Sequence, residues 1–350
     1  MRTFSSVPKK GLAVLALFCF QLVACDSNET LQKLSISGAT MGTSYHIHVV
    51  TSRKLSDKAH QLGSDELSAL VDDYLLKINQ QMSTYIADSE LSLFNKSPTD
   101  SWYPVSAELC EVLTLAQQVS RESGGRFDVT VGALVNLWGF GPEDHRGVPG
   151  DEAIAHAKSR VGYDKLELDC PSSRIRKTAD IYVDLSAIAK GYAVDQIGNV
   201  LQRIGFDNYM VEIGGELRLA GHNAEGGPWR IAVEKPVLER AGAQQILQLS
   251  GYGLATSGDY RNYYEVDGVR ISHTIDPVSA APIRHKLASV TVVAESSAKA
   301  DAWATAMNVA GLEEAKLLAY KHGLHAYFIV NIDGAFVVDY TENFQSFMVQ

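Results

Sequence analysis

Short strand patterns joined by hairpin-sized connections constrain this fold more than any other feature. Lys165 to Leu168, Arg174 to Lys177 and Ile181 to Val183 each read as a brief strand. Tyr209 to Gly221 reads as two strands hinged at Gly214–Gly215, followed by Trp229 to Lys235, Gln244 to Leu249 and Gly253 to Thr256. A doubly wound α/β fold needs a helix between successive parallel strands. These connections leave no room for one. The pattern predicts an α+β fold of mixed, largely antiparallel sheets with flanking helices.

Apart from one helix after Val183, the helices fall at the two ends of this strand-rich stretch. Leu67, Leu70, Val71, Leu75 and Ile78 recur at helical spacing in Asp65–Met82, with Ser64 as the expected cap. Asp88–Asn95 reads as a capped helical turn, and Ser106–Ser123 as an amphipathic helix stopped by Gly124–Gly125. A loop over His145–Gly150 leads to a short helix over Asp151–Arg160. Leu287–Ala294 is expected to be a buried strand, followed by helices over Ser297–Ala310 and Leu312–His322. A closing hairpin turns at Asp333–Gly334. Ser35–Val50 reads as one early strand carrying Gly38-Ala-Thr-Met-Gly-Thr43.

The first 24 residues read as a signal peptide. Arg2, Lys9 and Lys10 precede the apolar run Gly11–Val23, which is short for a spanning helix. It ends in Leu22-Val-Ala-Cys25, which resembles a bacterial lipoprotein lipobox. Cys25 is then the expected lipidation site, residues 25–34 a tether, and 35–350 the folded domain. Asp26 resembles an inner-membrane retention signal, so the expected location is the periplasmic side of that membrane, by lipid anchor. The net charge of −10 and the lack of a basic cluster argue against nucleic acid as a partner. Export would permit a disulfide between Cys110 and Cys170, but Cys110 falls in an apolar helical pattern, so buried free thiols are the default expectation; no CxxC or His-rich pair suggests zinc.

Three pieces carry candidate chemistry. Asp301 and Thr305 sit one turn apart on the same helix face, and their hard oxygen donors suit Mg²⁺ rather than zinc. Asp184 to Asp195 turns a strand into a helix whose start offers amides to a phosphate, with Ser186 as a possible cap and Lys190 near its beginning. Read alone, it is better taken as a capped helix with a solvated lysine. His273 lies in Ser272-His-Thr-Ile-Asp-Pro277, where it is either a hydrogen-bonded structural residue or a base. Asp128, in an apolar run, requires a partner. Asp276 reads as a turn-forming carboxylate before Pro277.

Gly38–Thr43, Phe127-Asp-Val-Thr-Val-Gly132, Asn136-Leu-Trp-Gly-Phe-Gly141, Asp184-Leu-Ser-Ala-Ile-Ala-Lys-Gly191, Val211-Glu-Ile-Gly-Gly215, Ser257-Gly-Asp-Tyr-Arg-Asn262, Ser272–Pro277 and Ala300-Asp-Ala-Trp-Ala-Thr305 occur in this order. The set resembles the ApbE family, the FAD:protein FMN transferases, over nearly the whole mature chain. The resemblance implies two interleaved subdomains with FAD between them. It also implies Mg²⁺-dependent transfer of FMN from FAD to a Thr or Ser hydroxyl of a target protein, with release of AMP. The targets it implies are subunits of the sodium-pumping NADH:quinone reductase or Rnf-type complexes. Met41, Tyr85, Arg126, Phe127, Asp128, Asp184, Lys190 and Ile275 match FAD-contact positions. Asp301, Thr305 and the Ala187 carbonyl match metal ligands, and His273 matches the base. Lys190 stands where some relatives carry an acid. Two further readings keep the same residues: Mg²⁺-dependent FAD hydrolysis to FMN and AMP, and a flavin-binding lipoprotein without catalysis.

Overall fold

The computed structural model describes residues 31–52, 63–142, 147–236, 242–258 and 262–349. The signal peptide, Cys25 and Asp26 lie outside these residues, as do Asp259–Arg261 and part of the expected loop at His145.

The chain opens with a hairpin, β1 (Leu31–Thr40) and β2 (Thr43–Ser52). Two helices follow, α1 (Ser64–Met82) and α2 (Glu90–Lys96), then β3 (Tyr103–Pro104) and α3 (Ala107–Glu122). Next come α4 (Gly132–Leu137), α5 (Asp151–Ser159), β4 (Leu166–Asp169), β5 (Arg174–Lys177) and α6 (Ala189–Arg203). The strand-rich middle contains β6 (Asn208–Ile213), β7 (Glu216–Ala220), β8 (Trp229–Glu234), β9 (Ala243–Leu249) and β10 (Gly253–Gly258). It continues through β11 (Tyr263–Val266), β12 (Val269–Ser272), β13 (Ile275–Asp276), β14 (Ala281–Pro282) and β15 (Leu287–Ala294). The chain closes with α7 (Ser297–Ala310), α8 (Leu312–His322), β16 (His325–Ile332) and β17 (Ala335–Tyr340).

One eight-stranded sheet, in the order β1-β2-β6-β7-β10-β15-β16-β17, organises the rest. Every pairing in it is antiparallel. Successive side chains along a strand point to opposite faces, and here both faces are covered. Val292, Ala255 and Phe328 join the core beneath the helices, whereas Val293, Leu254 and Tyr327 join a second core against β8–β9 and Phe344/Phe347. Double coverage explains why all eight residues of β15 are buried. A third, smaller cluster joins Leu134 and Trp138 of the α4 region to Ile271, Ile275 and Ala280. The Trp138 indole N–H donates to the Ala280 carbonyl at 3.1 Å, tying this cluster to the turn after β13.

Several local expectations change. Ser35–Val50 is two strands, because Met41 (φ 49°) and Gly42 (φ 72°) form a turn with positive φ at both positions. β1 begins at Leu31, so residues 31–34 of the expected tether pair with β2. An edge strand tolerates their polar character because one side faces water. Ser64 is the first residue of α1, not its cap; extended Gly63 takes that place without a side-chain hydrogen bond. Ile181–Val183 forms only an isolated bridge, Tyr182 to Val131. Cys110 and Cys170 are disulfide-bonded, with Cα atoms 5.7 Å apart, not free thiols. The helical pattern of α3 reported the burial of Cys110. Only the packing of the β4–β5 turn on α3 brings Cys170 to it.

Candidate active site

A cavity of about 400 Å³ opens between the helical side of the large sheet and the small β11–β14 region. Its walls include Tyr85, Arg126, Phe127, Asp128, Asp184, Ala187, Lys190, His273, Ile275, Asp301 and Thr305. Residues from almost the whole length of the chain therefore meet at one site. Met41 is the exception. It sits at the β1–β2 turn and packs on the main core, outside this lining. A larger hollow of about 650 Å³, along α8 and the end of β17, contains none of these residues.

The position of α7 fixes Asp301 and Thr305. Ser296 caps it by accepting the Lys299 amide, and Asp195 of α6 accepts the Ser297 and Ala298 amides at 2.9 Å each. A side chain at Gly191 would come within 2.5 Å of the Ser297 carbonyl oxygen, so glycine there lets α6 and α7 touch backbone to backbone. This contact sets up the donor group. The Gly191 amide donates to Asp301 Oδ2 at 3.1 Å. One turn back, the Ala187 carbonyl receives no backbone hydrogen bond among the described residues. Nor does the Thr305 hydroxyl bond to any described residue. Asp301 Oδ1, Thr305 Oγ1 and the Ala187 carbonyl are hard oxygen donors on one cavity, and each lacks a partner among the described residues. That donor set fits a magnesium-like cation. Burial pushes the Asp301 carboxyl above the usual range, opposed by Lys190 and the Gly191 amide. A bound cation would favour its ionised form.

Lys190 is not a solvated lysine. Its ammonium lies 2.7 Å from Glu216 Oε1, and Glu216 is 3% exposed. Burial works against the Lys190 charge, but Glu216, Asp301 and Glu212 together hold it above the usual lysine range. Glu216 was missed from the sequence. The available signal was its place on the opposite strand face from Leu217 and Leu219, immediately after the Gly214–Gly215 turn.

The start of α6 differs from expectation. Ile188, not Ser186, precedes the helix, because Asp184 Oδ1 draws in both the amide and the hydroxyl of Ser186. Of the amides expected to face a phosphate, that of Gly191 is already held by Asp301. Asp128 has its expected partners: Oδ1 accepts the Thr130 amide and hydroxyl, and Oδ2 accepts the Tyr163 amide. Its carboxylate is thus committed to shaping the Phe127–Thr130 loop, and burial raises it above the usual range.

His273 lies at the cavity wall, two residues before Ile275. Its Nδ1 is 2.9 Å from the Asn262 carbonyl. A carbonyl only accepts, so Nδ1 carries the proton and Nε2 is the basic nitrogen of the neutral ring. Phe140 packs edge-on to this ring, with centroids 6.3 Å apart. The Phe140 carbonyl accepts the hydroxyl of Tyr85, which stands exposed at the mouth. Asp276 does form the turn, accepting the Val278 and Ser279 amides, and it also faces Arg126 at 3.4 Å. Arg126 makes a two-pronged contact with Glu314 of α8 at 3.1 and 2.8 Å. It thereby ties α8 to the segment that carries His273.

The ApbE family model matches residues 41–328. A FAD:protein FMN transferase of Vibrio cholerae is 40% identical over 328 residues, covering 93% of this chain and 96% of its own. The solved flavin transferase ApbE from Vibrio cholerae superposes with a TM-score of 0.82 at 40% identity, over 91% of this chain and 99% of that one. The apo flavinyl transferase ApbE of Pseudomonas stutzeri gives a TM-score of 0.82 at 39% identity, over 91% and 97% of the two chains. The chain belongs to the ApbE family.

Proposed function

We propose that this chain transfers FMN from FAD to a Thr or Ser hydroxyl of another protein and releases AMP. The names of its relatives support that activity. The single observation that supports it at these residues is the cavity shared by His273, with its fixed tautomer, and the oxygens Asp301 Oδ1 and Thr305 Oγ1, which have no partner among the described residues. In this reading, His273 Nε2 accepts the proton of the acceptor hydroxyl. The hydroxyl oxygen forms a bond to the FMN phosphorus, the pyrophosphate P–O bond breaks, and AMP leaves with the electron pair. Asp301, Thr305 and the Ala187 carbonyl would hold Mg²⁺, which when bound neutralises pyrophosphate charge. Tyr85, Phe127 and Ile275 supply apolar surface to the nucleotide. Arg126 and Asp184 shape the walls, and Asp128 supports the loop behind them.

The upstream sequence extends the proposal. Residues 1–24 are a signal peptide, Cys25 carries acyl chains, and the enzyme faces the periplasm from the inner membrane. Subunits of the sodium-pumping NADH:quinone reductase or Rnf-type complexes are then within reach as acceptors. Incubation with FAD, Mg²⁺ and a candidate acceptor domain tests the activity by intact mass. The expected result is an acceptor heavier by one FMN phosphoester. AMP release with no labelled acceptor under the same conditions would favour water as the acceptor.

A further inference from the structure

We infer that Glu216 is a positioning residue for the cation site: its carboxylate holds the Lys190 ammonium away from Asp301, leaving Asp301 open to a divalent cation. The inference rests on the cation-site reading of Asp301 and Thr305.

Lys190 in the first turn of α6, Glu216 at the start of β7 and Asp301 in α7 line the same cavity. A lysine there is a hazard to a cation site. Its long stem can turn, and an ammonium paired with Asp301 would occupy the donor that the cation needs. The structure places the charge elsewhere. Lys190 Nζ pairs with Glu216 Oε1 at 2.7 Å, and among the described residues no ion pair joins it to Asp301. The Lys190 Cδ passes 3.4 Å from where a Gly214 side chain would begin, so the stem runs along the β6–β7 turn towards Glu216. Glu216 is almost fully enclosed, and its second oxygen, Oε2, is buried without a partner among the described residues. A carboxylate buried this way is costly unless its charge is used. Its use here is to cancel an ammonium that would otherwise repel or replace the cation.

The charge count gives a test that separates positioning from ligation. Glu216→Gln leaves Lys190 unbalanced beside Asp301, so cation affinity should fall. Lys190→Met with Glu216→Gln removes both charges and restores neutrality, so affinity should return. Mg²⁺ is titrated calorimetrically into the full chain with neither FAD nor acceptor protein present, against a buffer blank. The expected result is at least a tenfold weaker Kd for E216Q and a double variant within about threefold of the wild type. Unchanged affinity in E216Q overturns the inference, as does a double variant as weak as the single. The latter would make Glu216 a donor or a purely structural group. If E216Q does not fold, the double variant is compared with the wild type, and a loss of affinity in it overturns the inference. A wild type that binds no Mg²⁺ would instead defeat the cation-site reading itself.

Discussion

Gly191→Ala tests whether the backbone contact of α6 with α7 builds the site. Two effects compete. Alanine favours a helix interior over glycine by about 1 kcal/mol. Against this, the new methyl would lie 2.5 Å from the Ser297 carbonyl oxygen, 2.7 Å from its carbon and 2.8 Å from the Ala298 Cα. Ordinary contact begins near 3.4 Å, so backbone must move by about 0.9 Å, the difference from 2.5 Å. Overpacking of this kind costs about 1–3 kcal/mol. The movement also strains the charged hydrogen bond from Gly191 to Asp301, worth about 1.5–3 kcal/mol. The clash and the lost bond outweigh propensity, leaving a net destabilisation of about 2–4 kcal/mol. That corresponds to a Tm lowered by roughly 3–6 °C for a chain of this size. Gly198→Ala, in the same helix, is the matched control. Its methyl would meet the side chains of Tyr209 and Arg218, at 2.9 and 3.0 Å, rather than backbone, although Tyr209 is fully buried. Thermal unfolding by circular dichroism should show G191A well below the wild type and G198A less affected. A G191A variant as stable as the wild type, or more so, would refute the close-contact reasoning.

Three further outcomes are expected. His273→Ala should retain FAD binding, measured by flavin fluorescence quenching, but lose acceptor labelling; labelling at the wild-type rate would sink its role as base. The Cys110–Cys170 bond closes a 60-residue separation, for which loop entropy gives about 4 kcal/mol. The Cys110→Ala/Cys170→Ala variant should therefore melt lower, with the difference vanishing when both proteins are measured in reductant. Burial pushes the Asp195 carboxyl up to about 6, despite the Ser297 and Ala298 amides and Arg218. Because the fold then holds this proton more tightly than the unfolded chain does, stability from the group is full below about pH 4 and is lost as pH rises through about 6. Denaturant unfolding should show a fall of about 3 kcal/mol across that window, and Asp195→Asn should flatten it.

The sequence by itself determined the element types over most of the chain. It did so where one periodicity ran long enough to be unambiguous, as in α1, α3, α7 and β15. It also placed Asp301 and Thr305 on one helix face, because helical spacing is a local property. The ordered motif set identified the family. Only the tertiary structure decided the rest. The β1–β2 turn was read as continuous strand because positive φ at Met41 is a backbone state that its side chain does not announce. The Cys110–Cys170 bond, the Arg126 link from Glu314 to Asp276, and the pairing of Lys190 with Glu216 join elements far apart in the chain. No local pattern encodes such contacts. They follow from the way the two faces of one antiparallel sheet bury their alternating side chains, and that packing brings His273 and Asp301 to the same cavity.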